Sequence, residues 1–522
     1  MTVDGRRIAR SAGIVMAGFV ASKALGFVRE VVIARAFGTS AELDAYYAAF
    51  NLPDLLYALI PGGALASVFI PVLAGYLTRD DRAGAWELAS AIVNAVFLAV
   101  ALLGLAVALA APILVSRILA PGFSPAQQAL TVDLIRLVLL STLIFGVSGV
   151  VMGVLHAHQH FLLPAISPVL YNLGIIGGAL FLAPGMGVYG LAVGVVAGAA
   201  MHLAIQMPAL VRHGARWMPT LGLGSAGLHE VVWLMGPRIL TLGVVRLNFL
   251  VMTNLASRLG EGSVSALNYG WLVVQLPESI IGTAIAIAVF PTLSELAAKG
   301  QRGALRSTLS GALRAIFALT IPAAVGLVVL GRPLIQLLFQ RGAFGVESTE
   351  AVRWALQFYA LGLIGHSALE LVARIFYAQH DTRTPLGVAA MAMLAHLALS
   401  LWWVKVWGHG GLALANSVAV TLEVLGLLWI AQKRLAGVEG MRVLVSVLRS
   451  GFAAAMMGAV LFALTAWGRG AGTVALGGTL LGALVYLALT LALGSEEIRA
   501  LRRLVLEREP LMGQPSGENE KR

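Results

Sequence analysis

The residues of this chain that could do chemistry are charges set inside otherwise apolar stretches: Lys23, Arg29, Glu30, Arg136, Arg238, Arg246, Glu278, Arg314, Arg353, Glu370, Arg374 and Glu423. An ionised side chain at mid-bilayer costs about 3 kcal/mol on insertion scales unless it faces protein or water, so such residues mark ion pairs or a hydrated cavity. Arg136, Arg314 and Arg353 fall near the ends of apolar runs and read as snorkelling side chains. Arg238 and Arg246 are about two turns apart and close to one face, with Pro237 and Asn248 beside them. They read equally as the lining of a cavity and as ion-pair partners of Glu278. Lys23 and Arg29 flank a stripe of small residues, Gly18, Ser22 and Gly26, which permits close helix approach and, beside two cations, a ligand-lined cleft. Asn248, Asn254, Asn416 and Glu423 offer oxygen ligands for a cation, against the plainer reading that Asn in a membrane helix bonds a neighbouring helix.

Other chemistries are poorly served. There is no cysteine, hence no thiolate chemistry and no disulfide. His156, His158 and His160 have no carboxylate close in sequence and read as a polar turn rather than a metal site. No G-x-x-x-x-G-K-[ST] loop occurs, so the chain is not expected to hydrolyse ATP. No cofactor is expected, and a membrane potential or a sodium or proton gradient must then drive whatever work is done.

The elements that position these charges follow from composition. The 522 residues are 59% hydrophobic and 12% charged, with many apolar runs of about 20 residues, the length that crosses a hydrocarbon core as a helix. The reading is an all-α polytopic membrane protein of about fourteen transmembrane helices. They fall near 8–35, 43–77, 85–118, 129–157, 162–183, 187–212, 226–258, 264–298, 304–330, 350–378, 384–406, 411–435, 442–467 and 472–494. Pro71 answers to Pro291 and Gln159-His160 to Gln379-His380 at an offset of 220, while Phe123 and Phe344, Pro164 and Pro385, and Gly190-Leu191-Ala192 and Gly411-Leu412-Ala413 match at 221. Two six-helix lobes, 1–220 and 221–436, thus form a parallel repeat, an architecture of transporters, followed by two further helices (437–495) and a cytoplasmic tail (496–522). Pro53, Gly62 and Gly63 interrupt the second span, and Pro277 and Gly282 interrupt its counterpart, as hinges for rocking lobes would. Lys and Arg concentrate in alternate short loops, which places both termini in the cytoplasm. The formal charge of +11 is in part this topology signal and not a sign of nucleic-acid binding. Arg6, Arg7 and Arg10 precede a full-length span with no cleavage site, so no removable signal is expected.

Several motifs carry a resemblance. Ser22-Lys23-Ala24-Leu25-Gly26-Phe27-Val28-Arg29-Glu30, then Ala34 to Gly38, Asp44-Ala45-Tyr46-Tyr47 and Asn51-Leu52-Pro53-Asp54-Leu55-Leu56, resemble the N-terminal signature of the MurJ/MviN family. Gly63-Ala64-Leu65 through Phe69-Ile70-Pro71, Ala120-Pro121-Gly122-Phe123, Leu338 to Phe344 and Arg374 to Pro385 continue it in family order across nearly the whole chain. The resemblance implies a lipid II flippase of the MOP exporter superfamily, moving the lipid-linked peptidoglycan precursor across the bacterial inner membrane, with a cationic cavity for the head group and a groove in the last two helices for the tail. Arg suits a diphosphate because its fork binds two oxygens at once, and Lys supplies a point charge. Arg29 matches a family arginine implicated in head-group binding and Lys23 replaces another; Glu30 and Asp44 match acidic positions expected to pair with these cations near the outer mouth. This chain departs from the family at Tyr57, Gly62 and Leu272, where relatives carry Arg, Glu and an essential Arg; Arg246 could supply that missing charge.

The implied partners are lipid II, membrane lipids and cell-wall synthesis or division proteins, with a monomer as the default. A multidrug cation exporter would want an acidic cavity. A flippase for another polyprenyl-linked saccharide fits the charges equally and is separated by the motifs alone. A membrane enzyme acting on such a precursor would want acidic or His groups on a long outer loop, and the longest one here, about 331–349, carries no His.

Overall fold

Within hydrocarbon a chain must satisfy its own backbone hydrogen bonds, and helices do this segment by segment. The computed structural model is helical accordingly, with no strand among the described residues. Residues 3–59, 63–435, 437–466 and 470–499 are described, with backbone alone at 3–12, 59, 63–67, 226 and 234–247. The helices are α1 (Val3–Phe37), α2 (Ala41–Leu59), α3 (Gly63–Thr78), α4 (Arg82–Leu114), α5 (Pro125–Ala157), α6 (Leu162–Gly177), the single turn α7 (Ala183–Met186), α8 (Val188–Ala204), α9 (Met207–Arg212), α10 (Ala226–Ala256), α11 (Ser263–Pro277), α12 (Ala284–Ala298), α13 (Arg302–Phe339), α14 (Val346–Ala378), α15 (Arg383–Arg434), α16 (Gly440–Ala466) and α17 (Ala471–Ala492). Wider π turns follow α4, α6 and α11 at Val115–Leu119, Gly178–Leu182 and Glu278–Thr283.

Among the described residues, ten helical stretches are long and apolar enough to cross a membrane. One of them, α15, runs for 52 residues and breaks at Gly408 (φ 56°, ψ −134°), so it is two helices. Together with α1, α10 and the α2–α3 pair, which are also long enough to cross, the described segments account for the fourteen expected.

The repeat is written into the backbone. Helix ends with left-handed residues recur in register: Asp80 (φ 57°) after α3 and Gly300 (65°) after α12, then Gln159 (56°) after α5 and His380 (58°) after α14. Gly187 (φ 58°, ψ −141°) and Gly408 adopt nearly one conformation, which lies close to a region essentially reserved for glycine. The interruption expected at Pro277 and Gly282 is the π turn Glu278–Thr283.

By packing, the chain forms two compact units. One comprises Met1–Tyr269, Leu338–Ala355 and Leu397–Leu412; the other comprises Gly270–Leu337, Leu356–His396 and Ala413–Arg522. The repeat boundary at 220 is a matter of sequence correspondence, and the packing units run past it because α10 packs on α2 and α3. In the first unit Phe69, Leu73, Leu88, Ile92, Val150 and Val154 form a buried cluster. Since lipid is as apolar as the core, helix association there relies on close fit, and α6 meets α8 through facing glycines. A Cβ on Gly174 would lie 2.6 Å from the Gly198 nitrogen and 3.0 Å from the Gly194 carbonyl oxygen. In the second unit Leu309, Ile316, Leu371, Ile375, Phe376 and Leu427 are buried together. A second cluster there joins α13 to α16 and α17 through Leu330, Met457, Leu461 and Val474, with the Tyr486 hydroxyl donating to the Ala318 carbonyl (2.6 Å).

Candidate functional site

Arg29 is the charge most fully built into its surroundings. The small-residue stripe of α1 lets it approach α6, for a Cβ on Gly18 would meet Ala165 at 2.7 Å. That proximity brings the Asn172 amide to the guanidinium. Asn172 Nδ2 donates to the carbonyls of Ser22 (3.3 Å) and Pro168 (3.0 Å), which turns its Oδ1 toward Arg29 Nη1 at 3.0 Å. From the other side Glu30 accepts from Arg29 Nε (3.0 Å) and Nη2 (2.5 Å), and is itself fixed by the Tyr47 hydroxyl at 2.7 Å. An aromatic wall stands behind Tyr47: Tyr269 meets it edge-on (ring centroids 6.0 Å) and in turn contacts Phe339 and Phe344. The Arg29 side chain remains 25% exposed against 10% for Glu30. Of the five guanidinium N–H groups, three have these acceptors, and two are left for a ligand among the described residues.

The other candidates distribute unevenly. Lys23 is exposed, its ammonium 5.7 Å from the Phe19 ring. Six residues separate it from Arg29, about 240° around a helix, so the two cations do not share a face. Asp44 departs from the expected pairing with the cations. It is fully buried and caps α11, accepting from the Gly262 amide (2.7 Å), the Ser265 amide (2.7 Å) and the Ser265 hydroxyl (2.7 Å). The exposed N–H groups of a helix start draw a carboxylate more strongly than a solvated cation can. Arg314 also departs from snorkelling: at 19% exposure it is held by Glu496 (2.9 Å) and Glu497 (3.2 Å). Arg136 and Arg353 lie about three and about two turns into α5 and α14, inside the helices rather than at their ends, with carboxylates one turn away, Asp133 at 3.6 Å and Glu350 at 2.8 Å. The side chains of Arg238 and Arg246, and all of Gly62, lie outside the described residues.

Pro53 is buried within α2, Gly63 opens α3, and Pro277 closes α11. Gly282 lies in the following π turn, where a Cβ would meet the Ser367 Cα at 2.7 Å. Among the cation-ligand candidates, Asn254 Nδ2 donates to the Ile118 carbonyl (2.5 Å), and the Asn416 oxygen faces the His366 imidazole (2.9 Å). Asn248 Oδ1 is buried with no hydrogen-bond partner among the described residues, and Glu423 is half-buried on α15. No group of three His, Asp or Glu suited to a metal occurs among the described residues. His158 stacks between Trp86 (5.8 Å) and His213 (4.6 Å) in the turn after α5. Asn172 escaped the reading of the sequence, although a lone amide in the apolar run 162–183 had the same claim to a partner as Asn248.

A helical membrane protein built as a parallel repeat, with a partly exposed cation in an aromatic-lined setting, is a carrier by class. Solved structures share its fold: it superposes on an inward-facing MATE family multidrug transporter of the MOP superfamily with a TM-score of 0.67 at 15% identity, covering 80% of this chain and 95% of that one. It superposes on a lipid II flippase MurJ in an inward closed conformation with a TM-score of 0.80 at 25% identity, covering 94% and 99%. The family model for lipid II flippase MurJ matches residues 33–477. Lipid II flippase MurJ of Burkholderia cenocepacia is 32% identical over 432 residues, 81% of this chain and 83% of the relative. A probable lipid II flippase MurJ of Rhizobium meliloti is 30% identical over 454 residues, 85% and 84%. The chain belongs to the MurJ family.

Proposed function

We propose that this protein flips lipid II from the cytoplasmic to the outer leaflet of the bacterial inner membrane by alternating access, and that Arg29 binds the diphosphate of the head group. The observation that carries the site is the Arg29 guanidinium, aimed by Glu30 and Asn172 with two donors left over. Glu30 and Lys23 tune the field around it, Pro53, Gly62, Gly63, Pro277 and Gly282 serve as hinges, and Arg238 and Arg246 add positive charge to the cavity. Arg246 stands in for the helix arginine replaced here by Leu272, and unchanged flipping by Arg246→Ala would remove it from this role. Both termini are cytoplasmic, the working unit is a monomer, and no bond is made or broken in the cargo, so the protein acts as a transporter and not as an enzyme.

The test is outer-leaflet exposure of lipid II in cells where this protein is the only flippase. Depletion should abolish exposure with lipid II accumulating inside. Arg29→Ala should lower it by about tenfold or more, the worth of a charge-assisted hydrogen-bond pair, and Arg29→Lys should recover only part, because the fork is lost. Undiminished exposure after depletion would move the cargo to another polyprenyl-linked saccharide.

A further inference from the structure

We propose that His366 is a proton-binding site through which the second unit couples transport to a proton gradient, an inference that rests on the transporter reading above. Three ionisable residues follow one another at four-residue steps along α14, His366, Glu370 and Arg374, and so share a face. His366 Nε2 lies 2.9 Å from Asn416 Oδ1, and its ring meets Trp271 edge-on at 4.8 Å. An amide oxygen can only accept, so Nε2 is the donor and the neutral ring keeps its lone pair on Nδ1, where one further proton can bind.

The surrounding charges make that proton consequential. Glu370, whose field reaches His366, is paired with Arg374 at 2.6 Å while the ring is neutral. Once Nδ1 is protonated, Glu370 stands between two cations, and the ion pair with Arg374 is weakened. On α15, Glu423 reaches the same cluster, since Tyr377 lies in the fields of Glu423, Arg374 and Glu370 together. Two further carboxylates of this unit lie on the π turn and on α12, Glu278 at the head of the turn that holds Gly282 and Glu295 near the end of α12, where it is paired with Lys299. Gly282 presses on Ser367, the neighbour of His366, and on the opposite side Gly362 and Gly365 bring α14 against Ser417 and Thr421. A charge change at His366 therefore acts where the π turn, α14 and α15 are in closest contact. Sodium fits this locus less well: it is a hard cation that prefers oxygen ligands, and the Asn416 oxygen is turned to the imidazole. The step itself is simple: Nδ1 takes a proton from water on one side of the membrane and returns it to water on the other.

The test uses the full chain and two readouts. In detergent without substrate, an indicator dye reports protons taken up when the pH is stepped from about 8 to about 5. His366→Gln keeps an N–H donor for Asn416 but cannot titrate there, and should take up about one proton fewer than wild type. In vesicles containing lipid II and no sodium, the wild-type transfer rate should change by about tenfold across this window at fixed potential, whereas His366→Gln should be flat with lipid II binding intact. Glu370→Gln, should His366→Gln fail to reconstitute, should move the profile to lower pH by removing the counter-charge. Equal proton uptake, a wild-type profile in His366→Gln, an unmoved profile in Glu370→Gln or a sodium requirement in place of the pH dependence would overturn the proposal. A missing proton without any lipid II transfer would uphold the site and sink the flippase reading instead.

Discussion

Arg29 and Asp44 are both charges among apolar helices of the first unit, and the fold treats them in opposite ways. Asp44 is sealed from solvent with both oxygens occupied by groups of α11, whereas Arg29 keeps a quarter of its surface and two donors. A sealed, satisfied carboxylate stabilises and a partly open guanidinium can bind, so their substitutions should separate. Asp44→Ala leaves helix-start N–H groups without an acceptor and should cost about 2 kcal/mol, seen as a lower melting temperature in lipid nanodiscs with near-normal transport per folded molecule. Transport loss at an unchanged melting temperature would return Asp44 to the site. The sequence shows each residue as a charge in an apolar context but not which kind it is, because the deciding partners of Asp44 lie 218 and 221 residues away and Asn172 lies 143 residues from Arg29. No periodicity spans such separations.

At the scale of elements, hydropathy and length make the helices legible, and Pro and Gly make their breaks legible. The predicted span 43–77 holds α2, with Pro53 inside it, and α3, while 264–298 is α11, a π turn and α12, with the break at Pro277 and Gly282. The predicted pair 384–406 and 411–435 is α15, broken at Gly408 inside the predicted gap. What hydropathy does not reveal is the start of that helix. There Asp381 accepts from the Arg383 and Thr384 amides (both 3.0 Å), the Thr384 hydroxyl (2.6 Å) and Arg434 Nη1 (2.6 Å). The Thr384 hydrogen bonds, and after them Arg434, hold its carboxyl well below the usual carboxylate range. A depressed native value means that the stabilisation is complete above the unfolded value of about 3.9 and is lost as the pH falls through the native one. The melting temperature of Asp381→Asn should therefore lie below that of wild type at pH 7, with the gap closing as both are acidified below about pH 4. A gap of constant size would mean that the carboxylate charge contributes nothing.

Over the whole molecule, the loop charges predict orientation, and the absence of cysteine makes this directly measurable. Gln301, in the exposed turn before α13, and Gly345, in the exposed turn before α14, lie at opposite ends of a long helix. An impermeant thiol reagent should label Gly345→Cys in intact cells and Gln301→Cys only after the membrane is opened. The reverse pattern would invert the topology and put both termini outside.

The contact between Asp44 and Ser265 joins a position to its own counterpart, since the two are 221 residues apart and the repeat runs at 220 to 221. In a pair of identical half-length chains sharing one orientation, a residue that meets its counterpart does so next to the dyad of an isologous dimer. The helix cap thus stands where two unlinked copies of the repeat would meet by symmetry. Within one chain the counterpart positions are free to differ, so one side carries the carboxylate and the other the hydroxyl and amides that receive it, an asymmetry that two identical copies cannot encode.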